Sequence, residues 1–157
     1  MNHLLTALLI ALAVAPSFSQ DKTDLAACLK AALSSPELAR EIAKAWENEE
    51  ALYLSNGSPQ AASTQPLFER LFQELSAEDL SGLDKEVRLL FSEKEPYYLD
   101  VGSVMEVGGV FRGDRLSLTL HAGLPRQEDR RRVLWASFVL ERQEADWAII
   151  KQYVEVK

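Results

Sequence analysis

Apolar and polar residues alternate along this chain with two different periods, and the change from one to the other falls near Tyr97. Before it the spacing is helical. Leu25, Cys28, Leu29, Ala32 and Leu33 recur at i, i+3, i+4, i+7 and i+8, which predicts a first helix from about Asp24 to Leu33 with Cys28 as a small buried group. The pair Ser35-Pro36 restarts the chain as N-cap and first helical residue. A second helix follows, with Leu38, Ile42, Ala45 and Trp46 as its apolar stripe, ending between Glu49 and Leu54. Asn56-Gly57 suits a helix terminator, while Leu52-Tyr53-Leu54 suits the start of a short strand. Pro66 opens a third helix whose face is Leu67, Phe68, Leu71, Phe72 and Leu75, and Ser76 with Asp79 forms a capping box for one more turn closed by Gly82. Glu86 to Ser92 fits strand and helix equally.

From Tyr97 the period is two. Tyr97, Leu99, Val101, Met105, Val107 and Phe111 mark one face of a long strand, interrupted at Ser103 and Gly109. Gly113-Asp114 has the chemistry of a two-residue hairpin turn with Gly first, which sets Phe111 opposite Leu116, Val107 opposite Leu120 and Glu106 opposite His121. A second hairpin joins Arg132–Glu141 to Trp147–Val156; pairing Leu140 with Ala148 places Phe138 opposite Ile150 and Trp135 opposite Tyr153. Helices followed by an antiparallel meander predict an α+β fold, with N-terminal helices packed on a curved sheet of about four to five strands.

The helix LFERLFQEL, the closing strands and a final hairpin of the form FVLER…DWAIIKQYVEV resemble the nuclear-transport-factor-2-like superfamily, a cone in which helices pack inside a strongly bent sheet. The resemblance is one of architecture. The hairpin usual between helices two and three of that family has no counterpart here, and no catalytic residue is carried over from it.

The first stretch, MNHLLTALLIALAVAPSFSQ, contains no Asp, Glu, Lys or Arg and has an apolar run from Leu4 to Ala15. A run of about 12 residues falls short of the roughly 20 needed to cross a bilayer, and Pro16 stops it. Ser17 and Ser19 suit a signal peptidase, so residues 1–19 read as a signal peptide and 20–157 as a single exported domain, periplasmic or secreted. Leu25-Ala26-Ala27-Cys28 imitates a lipoprotein box, but Asp21, Lys22 and Asp24 separate it from the apolar run. Cys28 is the only cysteine, so the fold relies on its core rather than on a disulfide.

With 17 basic and 24 acidic side chains the formal charge is −7, which disfavours nucleic acid and anionic membrane surfaces as partners. Arg126 and Arg130 to Arg132 form a basic patch diluted by Glu128 and Asp129. Arg112-Gly113-Asp114 spells an adhesion tripeptide, but Gly-Asp is what the turn itself requires. Asn56-Gly57-Ser58 is a poor glycosylation sequon before Pro59.

The last hairpin is apolar on both sides, with Leu134, Ala136, Phe138 and Leu140 on one face and Val133, Trp135, Val139, Ile149 and Tyr153 on the other. A sheet covered on one side only should not read this way. The candidate binding residues are therefore Trp135, Tyr153, Val139 and Ile149, joined by the Glu106 and His121 pair, in a non-catalytic module holding an apolar ligand or protein partner. Two other readings stand beside it: a secreted enzyme with His121 and Glu106 as an acid/base pair, and a homodimer subunit with a spare apolar face. No spacing points to a cofactor or a metal; His121 is the sole histidine after the leader.

Overall fold

The computed structural model describes residues 20–56, 65–91, 104–124 and 132–157. The leader, residues 97–103 of the long strand, and the basic patch apart from Arg132 lie outside the described residues.

Helix α1, Lys22–Leu33, starts two residues before the expected Asp24 because Asp21 and Asp24 cap each other's backbone N–H groups. Its buried face is Leu25, Ala26, Cys28, Leu29, Ala32 and Leu33. Helix α2, Pro36–Ala45, begins at the expected proline, but Ser35 makes no side-chain capping bond. It also ends short of the expected range. Trp46 is its C-cap and is 1% exposed, and Lys85 Nζ donates to the Trp46 carbonyl at 2.6 Å, satisfying a group that further helix would otherwise have used.

Residues Ala51–Ser55 are strand β1. Helix α3, Pro66–Glu74, is fixed to the sheet at its start: Gln65 N–H donates to the Gly109 carbonyl at 3.1 Å, and Phe111 N–H donates to Gln65 Oε1 at 2.9 Å. The expected capping box of Ser76 and Asp79 is present and opens a 3-10 turn over Ala77–Leu80. Gly82 then takes φ 88°, a conformation that favours glycine. Strands β2, Glu86–Leu90, β3, Val104–Arg112, β4, Arg115–Gly123, β5, Val133–Gln143, and β6, Asp146–Val156, complete the chain.

Among the described residues the sheet has six strands in the order β2-β1-β3-β4-β5-β6 and is mixed. The α+β class holds, but the count of four to five strands and the all-antiparallel pattern do not, because β1 pairs parallel to both β2 and β3. A parallel pair requires a crossover, and the segment containing α3 and the 3-10 turn provides it between β1 and β2. From β3 onward the sheet is an antiparallel meander.

Helices α1, α2 and α3 share one core with one face of this sheet. Leu25, Leu29 and Cys28 of α1, Leu38 of α2 and Phe68 and Phe72 of α3 meet Met105, Leu116, Leu118, Leu120, Leu134 and Phe138. Burying a side chain of this kind contributes about 1.5–3 kcal/mol, so the stacked pair Phe68 and Phe72, both fully buried, anchors α3.

Candidate functional site

The opposite face of the meander carries no described helix. The observed registers place its side chains in three rows that run across four strands. Val110, Ser117, Val139 and Lys151 form the first row, and Gly108, Thr119, Ser137 and Tyr153 the second. Glu106, His121, Trp135 and Glu155 form the third. The middle row is small except at its β6 end, whereas its neighbours are taller. A hollow of about 260 Å³ results, lined by Val110, Ser117, Thr119, Ser137, Val139 and Tyr153 among others.

The Gly113 turn fixes this geometry on the β3–β4 side. Gly113 has φ 58°, and from it follow Phe111 opposite Leu116, Val107 opposite Leu120 and Glu106 opposite His121, as the sequence predicts. His121 Nδ1 lies 3.7 Å from Glu106 Oε2, an ion-pair separation longer than a direct hydrogen bond. The imidazole also packs on Trp135, with ring centroids 4.2 Å apart. Trp135 is 40% exposed and Tyr153 55%. The Tyr153 hydroxyl is hydrogen-bonded to the Glu155 carboxylate; this raises the phenol above its usual range and, together with Lys157, holds the carboxyl below its own.

The second hairpin departs from the expected register. Leu140 faces Ile149 rather than Ala148, and Val139 faces Lys151, so Ile150 has no residue opposite it and forms a β-bulge. Phe138 therefore faces Gln152, Trp135 faces Glu155, and Tyr153 lies opposite Ser137. The turn at Glu144-Ala145, one residue off the expected register, puts Ile149 opposite Leu140 on the core face, and the bulge then returns Tyr153 to the helix-free face. Ile149 packs against the core, and of the expected binding set only Trp135, Val139 and Tyr153, with Glu106 and His121, share the helix-free face. Part of the two-sided apolar pattern therefore came from the assumed turn register.

What the sequence did not single out is the row of small residues between the tall ones. Its signal was available: Ser117 and Thr119 were outward positions of β4, and Ser137 lies across from Thr119 once the strands are paired. A second, apolar hollow of about 200 Å³ lies among Leu33, Ala39, Ile42, Leu52, Leu83 and Val87. No spacing in the sequence could have found it, because it depends on where β1 and β2 lie.

Among the described residues, no group of three or more His, Cys, Asp or Glu side chains is arranged to hold a metal ion, and no helix is long and apolar enough to cross a membrane. No family model, curated protein or solved structure matches the chain.

Proposed function

We propose that this chain is an exported, non-catalytic binding domain that holds an apolar ring or chain end on the helix-free face of its meander. The observation that carries it is the hollow of about 260 Å³ over the Thr119 and Ser137 row, with the apolar sides of Val110 and Val139 beside it and Tyr153 at its end. Ligand pockets for drug-sized molecules run from about 300 to 1,000 Å³, so this one suits a single ring system or the tip of a partner's side chain. Tyr153 and Trp135 offer flat faces at low cost in conformational entropy, and the hydroxyls of Thr119 and Ser137 give a polar edge of the ligand something to bond. We take the layering of helices over one face of the sheet as that of the nuclear-transport-factor-2-like superfamily, without drawing any residue role from it.

Titration with the amphipathic fluorophore anilinonaphthalene sulfonate tests the site. Saturable binding at one site per chain is expected, weakened by Val139→Asp and by Tyr153→Ala with the circular dichroism spectrum unchanged. Binding that ignores both substitutions sinks the proposal. A second reading, acid/base chemistry by Glu106 and His121, draws support from their 3.7 Å separation. It requires that His121→Ala abolish whatever turnover a substrate screen detects.

A further inference from the structure

Strand β6 is the end strand of the sheet, and among the described residues no strand pairs with its outer edge. Of the three large apolar side chains that stand exposed among the described residues, two, Ile150 and Tyr153, sit on it. Edge strands of natural proteins are usually short or blunted, because their free N–H and C=O groups invite another strand. This one is 11 residues long, with its bulge at Ile150 leaving the stretch from Lys151 to Val156 regularly paired on its inner side.

The direction of its free backbone groups follows from the ladder. Val133 and Lys157 exchange both N–H···O bonds, at 2.9 and 3.0 Å. In an antiparallel pair such residues alternate with ones whose groups point away, so Glu155, Tyr153 and Lys151 face β5 while Gln152 and Val154 face the open edge. On the helix-free face the charges are symmetric about Tyr153, with Lys151 two residues before it and Glu155 two residues after.

We propose that β6 pairs antiparallel with β6 of a second copy of this chain, with the two Tyr153 side chains opposite one another on the dyad. In that register Lys151 stands opposite Glu155 of the second copy and Glu155 opposite its Lys151, giving two cross-strand charge pairs on one face. Gln152 and Val154, whose backbone groups both point outward, fall opposite each other and exchange four N–H···O bonds about the dyad. Ile150 comes opposite Val156. No neighbouring register does this. Shifting to a dyad at Lys151 opposes the two lysines, and a dyad at Val154 sets Lys151 against Lys157. A dyad at Gln152 puts Lys151 against Tyr153 and Glu155 against Ile149, so neither charge finds its opposite. Glu155 already accepts from Tyr153 and lies 3.2 Å from Lys157, but a carboxylate has acceptor capacity for a further cation. The contact is isologous and closed, so it ends at a dimer with one continuous sheet.

Sedimentation equilibrium of the purified protein and three variants decides it. The parent chain is expected to be a dimer. Lys151→Glu and Glu155→Lys each set like charges opposite each other twice, and each is expected to weaken the dimer by at least roughly tenfold. The double variant Lys151→Glu/Glu155→Lys restores both pairs with their signs exchanged, and is expected to dimerise again. That recovery separates loss of the interface from loss of the fold, which circular dichroism checks in each single variant. A parent chain that stays monomeric at every soluble concentration overturns the proposal, and so does a double variant no more dimeric than the single ones. The parent chain's mass and the loss of fluorophore binding in Val139→Asp are separate readouts, although Lys151 and Tyr153 also line the hollow.

Discussion

The indole Nε1 of Trp147 donates to Asp24 Oδ1 at 3.2 Å, joining the first turn of α1 to the start of β6 across a sequence separation of 123 residues. Arg142, on β5 opposite Trp147, reaches the same carboxylate oxygen at 2.9 Å and places its guanidinium 5.1 Å from the centre of the indole ring. The carboxylate also accepts from Asp21 N–H through its other oxygen. One acidic side chain thus caps a helix and fastens that helix to the last hairpin.

Asp24→Ala should therefore be among the most damaging polar substitutions. The two ion-pair partners are only 14% and 19% exposed, so removing one leaves the other poorly solvated. A loss of about 2–4 kcal/mol is expected, somewhat below the range for a fully buried pair. Asp24→Asn keeps an acceptor for the indole while losing the charge, and should cost less. Urea unfolding followed by Trp fluorescence ranks the two; equal midpoints for all three proteins would show that the staple contributes nothing.

Gly109 is the position where the strand pattern of β3 breaks, and the structure explains the break. A Cβ added there would lie 2.6 Å from Cε2 of Phe68, a ring with no exposed surface and neighbours on every side. Gly109→Ala must displace α3 or force the ring from its rotamer, at an expected cost of about 1–3 kcal/mol. Gly123→Ala is the control, because nothing lies within 4 Å of its added Cβ. Thermal melts of the pair should differ, with only the first lowered markedly.

The β3–β4 hairpin was legible residue by residue because its turn chemistry sets the register: Gly113 supplies the positive φ, and every pairing follows by counting. The β5–β6 hairpin was not, because Glu144-Ala145 carries no turn signature that fixes the register, and the bulge at Ile150 then shifts it once more. Placing Ile149 correctly needs the core, not the alternation. Likewise, Ala51–Ser55 and Glu86–Leu90 are short apolar runs whose period fits a strand of either direction, and only the α3 crossover makes them parallel. The helix-free face was anticipated through Trp135, Val139 and Tyr153. Its hollow was not, since it arises from what the small neighbours lack.

Acid should weaken the fold through Asp79. The Ser76 backbone N–H, and to a lesser degree the Ser76 hydroxyl and Lys22, hold the Asp79 carboxyl below its usual range. A carboxyl whose folded pKa is depressed contributes stability that is present above its unfolded value and lost as pH falls through the folded one. The contribution should therefore fade below about pH 4. Asp79→Asn removes the titration, so the difference in urea midpoint between parent and variant should be largest near neutrality and shrink on acidification. A difference independent of pH would assign the cap's effect to geometry alone.

Alkali should act on Cys28, with the opposite sign. The thiol is fully buried on the inner face of α1, and burial, aided by the nearby Asp24 carboxylate, raises its pKa far above the ordinary range although Arg142 opposes the shift. A group whose folded pKa is raised contributes stability that is intact below its unfolded value, about 8.5 for cysteine, and is lost as pH rises beyond it, because the unfolded chain gains a thiolate that the folded one cannot hold. Iodoacetamide should consequently leave Cys28 unmodified in the native protein at pH 8 and label it in urea in step with the unfolding curve. Cys28→Ala, which cannot ionise, should show a flatter decline in stability between about pH 8 and pH 10 than the parent, whatever the cavity costs it at neutral pH. Alkylation of the native thiol at the rate of a free cysteine would mean that α1 opens away from the core far more readily than its packing on β6 implies.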